Sequence, residues 1–566
     1  MKFSEFPYSR VDLAAFEQEC EECIKKLLSA EDYATAKEAC LEFEVLGARV
    51  NTQGSISYIR HTINTNDEFY SAENDFWDEA QPILSNSSVK FISAMLGSRF
   101  AEDFKKEFGE VLFLNAEISL KAFSPEIIPD MQEENALTSE YDKLIASAKI
   151  DFMGETRTVS QMAPFLTDAD DAVRANAWKA VSEFYVSIGD RLDSLYDELV
   201  HKRDGMGKKL GNPDYVQLGY YRMMRNCYGK DDVAKFRSAV KKHIVPIATE
   251  IKRKQAERIG VPYPMTFADD ALAFRSGNPR PALDSDGILD CGKRMYEDMS
   301  PETAEFIGKM FECEMFDVLS KPGKAAGGYC ATLEDYKLPF IFANFNGTKH
   351  DVEVITHEAG HAFAAYMCRD IVPSSCAQPS LEACEVHSMS MEFFARPYAK
   401  EFFGDDADKF LYAHLADALT FIPYGTMVDE FQHIVYENPS LTPAERHEVW
   451  AKLESEYRPW LKLDGSPFYG CGKGWQRQPH IYLNPFYYID YCLAQSVALR
   501  FWAMMQEDRD AAWKCYLEYV KKGGTLTFAG LLENAGIETP FGEDALKKIA
   551  DAANAYLENF DVMRLK

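Results

Sequence analysis

Apolar residues recur every three to four positions along most of the chain, the spacing of helices that bury one face. The stretches 11–47 and 67–109 carry this pattern among Glu, Asp and Lys, with few Gly or Pro to interrupt it. A further series over 168–203 begins beside Asp168 and Asp170, either of which suits a helix N-cap. Pro and Gly gather at Gly260–Pro264 and Gly277–Pro281, which predicts loops. The texture changes near residue 321. There KPGKAAGGYCATLEDYKLPFIFANFNGT is rich in glycine and holds a β-prone run, Leu338 to Phe345, so a hairpin or small sheet is expected. Helical spacing resumes at Asp351 and continues almost to Lys566. The pattern predicts a mainly α-helical fold with a small β-sheet.

Composition narrows the class. Of 566 residues, 46% are hydrophobic and 27% charged, a globular profile. Lys and Arg number 61 against 90 Asp and Glu, a formal charge of −29. That balance disfavours nucleic acid and anionic membrane surfaces as partners. The N-terminal stretch has no uninterrupted apolar segment of the kind an export signal needs, and no run of about 18 apolar residues occurs. The 13 cysteines are odd in number and scattered; Cys20 and Cys23 form a lone C-x-x-C with no second pair. A cytoplasmic protein with reduced thiols is expected.

The candidate chemistry sits in DVEVITHEAGHAFAAYMC, a stretch apolar nearly all round and therefore expected to be buried. With 11 histidines in the chain, chance yields about 0.02 H-E-x-x-H motifs, so His357-Glu358-Ala359-Gly360-His361 is informative. On a helix His357 and His361 stand one turn apart on one face and suit one Zn²⁺, with Glu358 beside an attacking water. A catalytic zinc of this kind takes a third protein ligand and leaves one position open. PSLEACEVHSMSMEFF offers Glu382, Glu385, His387 and Glu392; spacing alone does not separate Glu382 from Glu385. Glu385 and Glu392 lie two turns apart on one face, so one suits the metal and the other a supporting hydrogen bond.

HEAGHAFAAY followed by Glu385, Ser388 and Glu392 in the spacing E-x-x-S-x-x-x-E resembles the thimet oligopeptidase and oligoendopeptidase F family of zinc metallopeptidases, with EVHSMSMEFF closest to the oligoendopeptidase F form. The resemblance implies Glu385 as third zinc ligand and a supporting role for Glu392. It extends through GGYC and LPFIFANFNGT, which implies substrate contacts at Gly327, Gly328, Tyr329, Phe342, Ala343 and Asn344. It continues through Val428–Trp450 and PHIYLNPFYYIDY, which implies transition-state contacts from His480, Tyr491 and a further tyrosine, Tyr488 in preference to Tyr487. A multi-helix enclosed channel and short unfolded peptide substrates follow from the same resemblance. Residues 1–200 are then expected to form one channel wall and 201–566 the catalytic region.

The residues carry readings of their own. Leu338–Asn344 offers an extended peptide a strand edge, or else is a buried hairpin. Gly327 and Gly328 allow close backbone approach or serve a simple turn. His480 and the tyrosines supply donors for an oxyanion or form an aromatic core stripe. His387 is expected in an interhelical hydrogen bond, and His433 and His350 in structural or loop positions. No G-x-S-x-G or phosphate-binding loop motif is present. The expected activity is zinc-dependent internal cleavage of peptides. The rivals are a zinc carboxypeptidase and a non-catalytic, metal-containing peptide-binding protein.

Overall fold

The computed structural model describes residues 1–566 apart from 322, 326, 563, 564 and 566. It is mainly helical, and two of its longest helices begin at aspartate caps. Helix α1 (Tyr33–Ile63) starts at Asp32, whose carboxylate accepts the Thr35 N–H. Helix α2 (Asp171–Lys209) is capped by Asp170, which accepts from Ala172 and Val173, while Asp168 accepts from Asp170 itself. Between them lies an antiparallel hairpin, β1 (Ile150–Phe152) and β2 (Glu155–Arg157), where helical spacing predicted none.

The chain forms two compact units, each gathered from three separate stretches. Unit 1 comprises Met1–Lys121, Arg280–Ala407 and Met504–Ile537; unit 2 comprises Ala122–Pro279, Asp408–Ala503 and Glu538–Lys566.

Unit 1 holds the sheet expected near residue 321. Its order is β3 (Phe316–Leu319), β5 (Leu338–Phe345), β4 (Tyr329–Leu333), with β5 parallel to β3 and antiparallel to β4. This corrects the expectation that Leu338–Asn344 presents a free edge. A continuous apolar run suits a strand covered on both faces, and β5 is the buried centre of the sheet. The edge strands are β3 and β4.

Asp351 links β5 to the helix that follows. Its buried carboxylate accepts the N–H groups of Asn346 and Gly347, folding the chain back so that α4 (Lys349–Cys368) starts five residues after the strand's Asn344. Helix α5 (Leu381–Ala395) packs along α4 at very short range because Gly360 has no side chain. A Cβ there would lie 2.6 Å from Ser388 Cα and 2.8 Å from the His387 carbonyl oxygen.

In unit 2, helix α3 (Tyr215–Arg222), helix α6 (Ala407–Glu437, entering from unit 1 at its first residue) and the short helix α7 (Pro479–Leu483) surround an aromatic core. Tyr482 of α7 stacks on Tyr141 and Trp475, and the buried Arg203 of α2 donates to its carbonyl. Helix α8 (Tyr488–Glu507) follows directly.

Candidate metal centre and active-site residues

In unit 1 the two histidines of α4 and Glu385 of α5 bring their ligand atoms together. His357 Nε2 lies 3.4 Å and His361 Nε2 3.6 Å from Glu385 Oε2, and one ligand atom from each of the three residues falls within a common 4.8 Å. Tetrahedral zinc with bonds near 2.0–2.1 Å holds neighbouring ligand atoms about 3.4 Å apart, so the donor set and its spacing fit that ion. Glu382, the alternative by spacing, is fully buried near the start of α5 and takes the Ser380 hydroxyl at 2.7 Å. Among the described residues this is the one His, Cys, Asp and Glu group with metal-binding spacing.

The second ring of contacts orients the first. His357 Nδ1 lies 2.7 Å from Glu392 Oε1. With that carboxylate accepting the Nδ1 proton, the Nε2 lone pair is turned toward Glu385. Ser388, without a role from sequence, donates to the Glu385 carbonyl and lies 3.2 Å from its Oε2. Burial pushes the Glu385 carboxyl up, but the His361 and His357 imidazoles outweigh it and hold it well below the usual range. Glu358 is 9% exposed, and burial raises its pKa against the partial opposition of His357 and His361. His387 stays outside the group. Its ring meets Tyr519 edge-on, its carbonyl accepts the Tyr516 hydroxyl, and burial lowers its pKa to about 3.

The substrate contacts expected on the sheet divide. Gly327 has φ +94°, and a Cβ on Gly328 would lie 3.7 Å from Glu358 Oε1, so this backbone does pass beside the motif. Tyr329 stacks on Phe342 at 4.8 Å and its hydroxyl bonds Thr62 of α1. Phe342 and Ala343 are fully buried in the central strand, and Asn344 donates to the Ala325 and Gly327 carbonyls. In the structure these three build the sheet and brace its loop. Sequence reasoning missed Lys324. Its buried ammonium pairs with Asp317 at 2.6 Å, donates to the Ala343 carbonyl and lies over Phe342, pinning the loop to the sheet. Only its place in KPGKAAGG hinted at this.

His480 and the tyrosines lie in unit 2, where they form one cluster. The His480 ring is 4.9 Å from Tyr488, 5.8 Å from Tyr487 and 5.9 Å from Tyr491. The turn into α8 is held at Phe486, with φ +67°: Gln432 accepts its N–H and Arg225 donates to its carbonyl. Arg225 also pairs with the buried Asp490 at 2.8 Å, between the two tyrosines. His433 of α6 is buried and bonds Tyr220, and His350 is exposed at the start of α4, both as expected.

A helical fold with a small mixed sheet and an H-E-x-x-H helix facing a glutamate helix defines a class of metallopeptidases. The profile of the Peptidase M3 N-terminal domain matches residues 3–123, and that of Peptidase family M3 matches residues 302–551. A solved structure provisionally assigned as an oligoendopeptidase F is 46% identical over 100% of both chains, with a TM-score of 0.95. The structure of PZ peptidase A with an inhibitor is 45% identical, covers 99% of this chain and 100% of that one, and has a TM-score of 0.95. Among curated relatives, group B oligopeptidase PepB of Streptococcus agalactiae is 24% identical over 267 residues, 45% of this chain and 43% of its own length. The chain belongs to the oligoendopeptidase F group of peptidase family M3. Among the described residues no helix is long and apolar enough to cross a membrane.

Proposed function

We propose that the protein is a zinc-dependent oligoendopeptidase that hydrolyses internal bonds of short unfolded peptides. The observation that carries this is the convergence of His357 Nε2, His361 Nε2 and Glu385 Oε2 beside the buried Glu358. Bound there, zinc supplies Lewis acidity and lowers the pKa of water toward neutrality. Glu358 takes the proton of the attacking water and passes it to the leaving amine nitrogen; its raised pKa suits both halves of that task. Glu392 keeps the His357 ring in register. His480, Tyr488 and Tyr491 donate to the oxyanion, a role that rests on sequence resemblance.

An extended peptide is proposed to add to the β4 edge. Ile341 gives its N–H to Met315 on the β3 side, so its antiparallel partner Cys330 directs N–H and C=O away from the sheet. Exclusion of folded proteins belongs to the same proposal. So does a cytoplasmic location, which suits 13 free thiols.

Glu358→Gln tests the chemistry. The variant is expected to retain one zinc per chain and lose at least about 1,000-fold in kcat, since it removes the base; near-normal turnover would remove Glu358 from the mechanism. Mass mapping of products from a ten-residue peptide with a C-terminal amide tests the substrate class. Internal cuts are expected, whereas cleavage only of the free-acid form would indicate a carboxypeptidase. Zinc binding with no cleavage of either would indicate a binding protein.

A further inference from the structure

Gln478 stands two residues before His480 and is almost wholly buried. Its side-chain amide bridges two rings. The Tyr424 hydroxyl, from α6, donates to Gln478 Oε1 at 2.8 Å, and Gln478 Nε2 lies 2.8 Å from His480 Nδ1. Tyr424 is itself fixed, with Arg458 over its ring and Tyr488 against it edge-on. Burial raises its pKa, so its hydroxyl keeps the proton it donates.

A primary amide has one accepting end and one donating end. With Oε1 engaged by Tyr424, the end presented to His480 is the NH₂ group, which only donates. His480 Nδ1 must therefore be the acceptor, and the proton of the neutral ring resides on Nε2. We propose that Tyr424 and Gln478 are positioning residues that lock His480 as the Nε2–H tautomer, so that this edge of the ring donates to the oxyanion formed at the scissile carbonyl. The proposal rests on the reading of His480 as a transition-state donor. It adds the reason that the ring donates rather than accepts, and it names two residues that no motif indicated.

The neighbours are built for the same end. The Gln478 N–H bonds the Trp475 carbonyl and its own carbonyl accepts from Ile481, which fixes the backbone on both sides of the amide. Tyr482, four residues after Gln478, is clamped in the aromatic core.

The test uses the full-length zinc enzyme and an internally quenched ten-residue peptide. Long-range nitrogen–proton NMR of ¹⁵N-histidine protein, with His480→Asn to assign the ring, is expected to show the proton on Nε2. In Gln478→Glu the carboxylate accepts from Nδ1, the proton moves there, and kcat is expected to fall about 100-fold with KM within about threefold, the range for a lost oxyanion donor. Gln478→Met, which can neither donate nor accept strongly, should fall by a smaller factor, and zinc content should be unchanged in both. In a His480→Ala background Gln478→Glu should cost nothing further. The proposal is overturned by an Nδ1 proton in the unmodified enzyme, by Gln478→Glu within twofold of normal kcat, or by an undiminished effect in the His480→Ala background. Normal kcat in His480→Ala alone would instead show that the reading of His480 is the part that fails.

Discussion

Glu392 shows how one carboxylate acts at the site without being part of the ligand group. It accepts the proton on His357 Nδ1 at 2.7 Å, which fixes the ring's tautomer and increases the basicity of Nε2. Glu392→Ala is therefore expected to weaken zinc binding about 10–100-fold, read by competition with a chromophoric chelator; an unchanged affinity would mean the bond is incidental. The seven-residue interval between Glu385 and Glu392 made this pair legible in the sequence, because helical geometry turns an interval directly into a shared face. Lys324 was not legible. Its partner Asp317 is close in sequence, but its other contacts depend on where β5 runs, which no local interval encodes. The same holds for Gln478, whose meaning depends on Tyr424, 54 residues earlier.

Between elements, the α4–α5 pair decides whether the ligands meet. Gly360 sits inside the motif itself, and its missing side chain sets the separation of the two helices. Gly360→Ala places a Cβ 2.6 Å from Ser388 Cα and 3.0 Å from Met391 Cβ, so backbone must move. The expected cost is about 1–3 kcal/mol in urea unfolding of the zinc-free protein, with a further loss of zinc affinity as Glu385 is pushed from the histidines. Unaltered stability and affinity would show that the helices yield freely. Helical elements were readable from periodicity almost throughout, since long amphipathic segments carry their own signal. The small β elements were less so. The β1–β2 hairpin is too short for its three-residue strands to register. The apolar run of β5 identified a strand but not its neighbours, and pairing order is a property of the sheet rather than of the strand.

At the scale of the whole chain, six alternating stretches make up the two units. A linear division at residue 200 carries no information about such interleaving, because contacts between stretches hundreds of residues apart leave no local mark. Unit 2 also carries a buried titrating group that makes stability depend on pH. His433 bonds Tyr220 and faces Asp429, Arg237, Arg225 and Lys230. Burial lowers its pKa from 6.5 to about 4; Asp429 opposes the shift and the cations add to it. Between those values the unfolded chain binds the proton and the folded chain does not, so this contribution is complete above pH 6.5 and is lost as pH falls toward 4. The unfolding free energy is expected to drop over that window and to drop less steeply in His433→Gln; parallel slopes would assign the effect elsewhere.

The central claim, that one ion held by His357, His361 and Glu385 drives peptide cleavage, is tested most directly by metal titration. Chelator-stripped protein is inactive on the quenched peptide in this account, and stepwise zinc should restore activity linearly to a break at one equivalent, while Glu385→Ala stays flat. Full activity after stripping, or a Glu385→Ala titration that matches the unmodified protein, would contradict it.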